Sequence, residues 1–190
     1  AFPAAIGIAT VAPTFVEAFM GEDWLPMVPA LQLLAIYGLS LSLTNTYNPV
    51  WKTLGRPDFG TKLSAIKVVS MAILIIPLTT RYGIAGAALT VVAVSVFPIF
   101  PLSTYLLVNL LETSYRRLAV EVAYPAAASL LMGATVVAAE RTVLSTPSIP
   151  AFFLLVAVGV VAYGVAALII TTQFRWNIDR NIRSLVDAVS

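Results

Sequence analysis

Long apolar runs separated by short charged connections form the dominant pattern along this chain. The runs lack the 3.6- or 2-residue alternation that marks half-buried helices and strands in water-soluble domains. A helix needs about 20 apolar residues to cross the hydrocarbon core of a bilayer. We therefore predict an all-α integral membrane helical bundle of about six transmembrane helices. The six segments are Phe2–Phe19, Met27–Val50, Leu63–Thr80, Gly83–Leu111, Leu118–Ala139 and Ala151–Thr172.

Composition narrows the classes of function. Hydrophobic residues make up 59% of the 190 residues and charged residues only 11%, whereas soluble domains contain about 25% charged residues. The chain contains neither histidine nor cysteine, which removes the commonest metal ligand and general base as well as all thiol chemistry. No basic patch with interleaved polar residues points to a nucleic-acid partner. We expect no enzyme active site, no metal site and no bound nucleic acid.

Basic residues indicate the orientation in the membrane. Lysine and arginine are enriched in cytoplasmic loops, and nine of the 11 here fall in alternate connections, near the start of the third span or in the C-terminal tail. The intervening connections contain only Arg81 and Arg141. We therefore predict a multi-pass protein of the cytoplasmic membrane, with both ends of this chain on the cytoplasmic side. Because Ala1 leads directly into an apolar run without a charged segment, we also expect a longer parent protein.

Two units follow from this pattern: a transmembrane lobe, residues 1–174, and a tail, residues 175–190. In the tail, apolar residues repeat at helical spacing, with Arg180 and Arg183 largely opposite them. This pattern predicts an amphipathic helix on the cytoplasmic leaflet, with its arginines near anionic headgroups. A helix packed on a cytoplasmic domain would show the same pattern.

The second predicted span contains a polar stripe that covers about 100° of the helix circumference. A stripe of this width avoids lipid, so its hydroxyl and amide groups face either a hydrated cavity or a neighbouring helix. A carrier of sugar-bearing ligands requires such groups along its cavity. The candidate cavity-lining residues are Tyr37, Ser40, Thr44, Tyr47 and Asn48.

Two further features of the spans have alternative interpretations. Lys67, inside the third span, either extends its ammonium group to the interface or faces a cavity where it attracts a phosphate. Pro98 and Pro101 predict a bend in the fourth span. Such a bend acts as a hinge for alternating access or only shapes the packing of the helices.

Four motifs follow one another across the first four predicted spans. They are FMGEDW, with Gly21 and Trp24; PALQLLAIYGLSLSL; TLGRPDFGTK, with Leu54, Gly55 and Arg56; and IIPLTTRYGIAGAALTVV, with Pro77, Tyr82, Gly83, Gly86 and Ala87. In this order the chain resembles the C-terminal half of polysaccharide-biosynthesis flippases in the multidrug/oligosaccharidyl-lipid/polysaccharide exporter superfamily. The match runs from about Phe2 to Leu111, and the last two spans match in hydropathy and position. The third span lacks the asparagine often found near its start in that family.

The resemblance implies two pseudo-symmetric lobes around a central cavity that opens alternately to each side. It implies an oligosaccharide on a polyprenyl phosphate or diphosphate as substrate, flipped to the outer leaflet for surface polysaccharide or glycan synthesis. No bound organic cofactor is implied. Arg56 and Lys67 become candidate phosphate or cytoplasmic-gate contacts. The implied partners are membrane lipids and an N-terminal transmembrane lobe that this chain lacks.

Three alternatives stay open beside the flippase. A cation-coupled multidrug exporter of the same superfamily predicts a buried carboxylate in mid-span. A membrane enzyme for polyprenyl-linked sugars predicts clustered acids or histidines beside a large loop. A non-catalytic membrane scaffold predicts no continuous hydrated cavity. The short connections and the absence of mid-span acids favour the flippase over the exporter and the enzyme.

Overall fold

The described part of the chain is built from α-helices and contains no strand. The computed structural model describes residues 1–53, 58–111, 115–142 and 148–187, with the side chains of most of these up to residue 169. The helices are α1 (Phe2–Phe19), α2 (Val28–Thr53), α3 (Asp58–Val94), α4 (Phe100–Leu111), α5 (Tyr115–Thr142) and α6 (Ile149–Asp187). This architecture confirms the predicted all-α class.

By length and composition, five helical stretches of the described residues are long and apolar enough to cross a membrane. They are Phe2–Phe19, Glu22–Trp51, Asp58–Asn109, Val122–Thr142 and Ile149–Ile169. The third stretch contains both the third and the fourth predicted spans, which explains the difference between five and six. Its 52 residues would extend about 78 Å as one straight helix, against a hydrocarbon core of about 30 Å.

Helix α3 is interrupted at Gly83, between those two predicted spans. Gly83 has φ 56° and ψ −133°, a backbone conformation that residues with a Cβ rarely adopt. Close to it, a methyl group at Gly86 would overlap the backbone carbonyl of Leu78. In a straight helix these two residues would lie about 12 Å apart along the axis. The chain therefore turns sharply at Gly83, and the two spans are joined almost without a loop.

Pro98 lies in a π-helical turn, Ser95–Ile99, that joins α3 to α4. Because proline has no N–H, the carbonyl four residues before it loses its usual donor. Two residues after the proline, the Phe100 N–H donates to the Ser95 carbonyl, five residues back and not four, which widens the helix locally. The helix continues through the proline as a bulge, and a hinge at this position stays a prediction.

Helix α1 lies among three others and packs against α2, α5 and α6, while α2 also contacts α3, the π-helical turn and α4. Val11, Val136 and Leu155 form the core between α1, α5 and α6. Large apolar side chains outside this core are strongly exposed, such as Ile76 at 69% and Val160 at 67%. In water such surfaces would drive aggregation, whereas hydrocarbon surrounds them in a bilayer.

The tail is continuous in backbone with the last helix. Helix α6 runs from Ile149 to Asp187, through most of the predicted tail. The side chains beyond residue 169 lie outside the described part of the chain. An amphipathic tail on the cytoplasmic leaflet, and the division at residue 174, therefore stay predictions.

Candidate functional site

Helices α2 and α3 bring two of the predicted site residues into contact. Lys67 Nζ donates a hydrogen bond of 3.3 Å to the hydroxyl oxygen of Tyr37. The same ammonium group lies 5.2 Å from the centre of the Tyr37 ring, and both side chains are half-buried. Together the two distances place the ammonium group beside the phenol oxygen at the edge of the ring, so the contact is chiefly a hydrogen bond. The pair therefore places a positive charge on the polar stripe of α2.

The next two residues of the stripe have different surroundings. The Thr44 hydroxyl donates to carbonyls of its own helix, those of Ser40 at 2.9 Å and Leu41 at 3.1 Å. The Ser40 side chain is 6% exposed, and its hydroxyl has no hydrogen-bond partner among the described protein groups. Leaving a buried hydroxyl unpaired costs about 1 to 3 kcal/mol. Ser40 is thus the member of this pair whose hydroxyl keeps hydrogen-bonding capacity, at a position buried inside the bundle.

The remaining site predictions fall on parts of the chain that the structure does not describe. The structure describes the backbone of Tyr47 and Asn48 within α2 but not their side chains. Arg56 lies outside the described residues. The cavity and phosphate roles of all seven candidates therefore stay predictions.

Two apolar cavities lie elsewhere, on two sides of α1. One has a volume of about 440 Å³ between α1, α5 and α6, and the other about 410 Å³ between α1 and α2. Neither cavity is lined by Tyr37, Ser40, Thr44 or Lys67. The described polar candidates and these two apolar cavities thus occupy different surfaces of the bundle.

A polar contact that the sequence analysis missed joins α2 to α1. Gln32 Nε2 donates a hydrogen bond of 3.0 Å to the backbone carbonyl of Ala9. In a regular helix this carbonyl would accept from the N–H of residue 13, but that residue is Pro13, which has none. Membrane helices tolerate proline when a neighbouring helix satisfies the freed carbonyl. Proline in one predicted span and a glutamine in the next were the sequence signal for this contact.

A second missed contact joins α1 to α5. The Thr14 hydroxyl, whose side chain is 4% exposed, donates a hydrogen bond of 2.5 Å to Glu140 Oε1. Glu140 is half-buried in the last turn of α5 and lies within the candidate span Val122–Thr142. The two residues are 126 positions apart, so no local sequence pattern could have paired them.

These features define the class of protein: an all-α, multi-pass membrane protein with polar side chains paired between its spanning helices. The chain is 30% identical over 88 residues to an uncharacterized membrane protein in the cps region of Klebsiella pneumoniae, covering 46% of this chain and 18% of that protein. It is 42% identical over 57 residues to the teichuronic acid biosynthesis protein TuaB of Bacillus subtilis strain 168, covering 30% and 12%. It is 35% identical over 66 residues to the lipopolysaccharide biosynthesis protein WzxC of Escherichia coli K12, covering 35% and 13%.

The aligned segments span less than a fifth of each of these relatives. No protein-family model matches the chain, and no solved structure is significantly similar to it. The similarity to membrane proteins named for polysaccharide biosynthesis confirms the resemblance that the sequence motifs indicated.

Proposed function

We propose that this chain is part of a transporter that flips polyprenyl-linked oligosaccharide across the cytoplasmic membrane by alternating access. The flipped oligosaccharide serves the synthesis of surface polysaccharide or another glycan. The proposal is carried by the Lys67–Tyr37 pair, a cation on a polar stripe inside a membrane bundle. Its context is the similarity to proteins named for the biosynthesis of teichuronic acid and lipopolysaccharide. In this proposal the chain supplies one helical lobe, and a preceding lobe supplies the other wall of the cavity.

The pair suits a phosphate-bearing lipid on chemical grounds. An ionised group at membrane depth is costly unless it is paired, and lysine binds phosphate as a compact point charge. Tyr37 accepts a hydrogen bond from Lys67 through its oxygen, so its own O–H is still able to donate to a phosphate or sugar oxygen. A neutral hydroxyl oxygen holds an ammonium group without neutralising it. The charge of Lys67 therefore stays available to an anionic ligand.

A cation-coupled multidrug exporter is the second candidate function, and the Thr14–Glu140 contact favours it. Carboxylates within membrane spans often mark proton or cation pathways, and Glu140 is half-buried in one. Its position in the last turn of α5 places it at the end of that span. A cation-coupled exporter is expected to have a carboxylate in the middle of a span. The Glu140 contact therefore supports an exporter less strongly than the Lys67–Tyr37 pair supports a flippase.

Complementation tests the flippase proposal. The full-length gene is expressed in a mutant that lacks its own flippase, and both surface glycan and lipid-linked oligosaccharide in the inner leaflet are measured. We expect the wild type to restore surface glycan. Lys67→Gln is expected to lower flipping about ten- to hundredfold, because a hydrogen bond to a charged group contributes about 1.5 to 3 kcal/mol. Lys62→Gln is the matched control, since Lys62 is an exposed lysine of the same helix.

Two results would contradict the proposal at different levels. If Lys67→Gln restores as much surface glycan as Lys62→Gln, Lys67 does not bind the substrate. A well-inserted wild type that restores no glycan in several backgrounds would remove the flippase function. In that second case, export of toxic cations that is lost in Glu140→Gln would establish the exporter.

A further inference from the structure

The apolar cavity between α1, α5 and α6 extends along α6. Its volume is about 440 Å³, and on α6 its lining runs from Phe152 to Tyr163. At 1.5 Å per residue this lining is about 16 Å long. An apolar space of this length suits a linear hydrocarbon chain.

The lining is suited to hydrocarbon and to little else. It contains no charged side chain, and its one hydroxyl belongs to Tyr163. Gly159, also in the lining, allows α6 to pack closely against α5, because a Cβ at this position would lie only 3.2 Å from Val136 Cγ2. At the rim, Ile8 is 55% exposed and Val160 is 67% exposed. Both rim residues belong to candidate membrane spans, so the open side of the cavity lies at the depth of the hydrocarbon core.

We propose that this cavity binds one acyl chain of a membrane phospholipid. The hydrocarbon core of one leaflet is about 15 Å thick, half of the bilayer core, which matches the length of the cavity. An empty apolar cavity lacks dispersion contacts along its walls, and a linear chain from the adjacent leaflet would provide them. A polyprenyl chain is methyl-branched and far longer than the cavity. The phospholipid site is independent of the proposed flippase function, since none of the polar candidates lines it.

Photo-crosslinking tests the site in the full-length protein. The protein is reconstituted with a phospholipid that carries a diazirine in its acyl chain, and the crosslinked residues are mapped by mass spectrometry. We expect crosslinks concentrated on the cavity lining of α1, α5 and α6.

Two adjacent valines of α6 provide a matched pair of variants. Val160 lines the cavity and is 67% exposed, whereas Val161 does not line it and is 64% exposed. Val160→Trp fills the cavity from its rim and should lower crosslinking about tenfold, because losing even two buried methylene contacts changes binding by about that factor. Val161→Trp should leave crosslinking unchanged. Val156→Trp fills the same cavity from another position of α6 and serves as a second variant if Val160→Trp does not fold.

The outcomes separate the occupants. If crosslinks are spread evenly over the exposed helix faces, and their yield is the same in both valine variants, the label reports ordinary surrounding lipid. That result would overturn the site. Competition by polyprenyl phosphate, with no competition by added phospholipid, would show an isoprenoid occupant and overturn the acyl-chain proposal. Loss of crosslinking in Val160→Trp with intact glycan restoration would support a lipid site separate from transport.

Discussion

At the residue scale, polar side chains in these spans serve different purposes that look alike in the sequence. Gln32 satisfies the carbonyl that Pro13 leaves without a donor, and the Thr44 hydroxyl bonds to its own helix. Lys67 and Tyr37 instead pair across two helices with capacity left for a ligand. The predicted stripe identified polar residues of α2. Their helical spacing alone could not show which of them bond to their own helix and which bond to a neighbouring helix.

The relation between Gln32 and Pro13 predicts a double-mutant result. Gln32→Leu should lower the free energy of unfolding by about 1 kcal/mol, in the range measured for hydrogen bonds between membrane helices. In a Pro13→Ala background the same substitution should cost much less, since the introduced alanine supplies the missing N–H to the Ala9 carbonyl. The measurement is thermal unfolding of the four purified proteins in one detergent. Equal losses in both backgrounds would show that Gln32 does not act through this carbonyl.

At the element scale, the length of an apolar run predicts a span well, but not how consecutive spans are joined. Helix α1 begins and ends where the pattern predicted, at Phe2 and Phe19, because the apolar run stops there and Gly21 follows with φ 93°. The third and fourth spans were predicted as separate helices with a boundary at Gly83, and the break in α3 lies at that residue. The π-helical turn around Pro98 had no comparable signal beyond the proline itself.

The break at Gly83 predicts a cost for adding a single methyl group. Gly83→Ala should lower stability by about 1 to 3 kcal/mol, because φ 56° with ψ −133° is strained for any residue that has a Cβ. No atom lies within 4 Å of the added Cβ, so the cost would come from the backbone and not from a clash. Gly38→Ala is the control, since Gly38 is helical with equally open surroundings, and it should be neutral or stabilising by up to about 1 kcal/mol. Thermal unfolding of both variants checks this, and equal stability would mean that Gly83 does not require its present conformation.

At the scale of the whole molecule, the chain is a multi-pass membrane bundle whose orientation is predicted by the distribution of basic residues. Because the 190 residues contain no cysteine, a single introduced cysteine is the only thiol within them, and its labelling, compared with the protein without it, reports the side of the membrane. Asp58→Cys should react with an impermeant thiol reagent only after the membrane is permeabilised. Arg141→Cys should react in intact cells, since it lies in a connection predicted to face outward, and both positions are exposed. The opposite labelling of the two sites would reverse the topology.

The sequence by itself determined the class of this protein, because a bilayer requires long apolar helices whatever their arrangement. Its motifs also determined the resemblance to membrane proteins of polysaccharide biosynthesis. Only the tertiary structure decided which polar groups meet, such as Thr14 with Glu140 and Lys67 with Tyr37. The tertiary structure also decided that an apolar cavity lies between α1, α5 and α6. The physical reason is that these contacts depend on how each helix is rotated and crossed against its neighbours, which side-chain packing over the whole bundle sets.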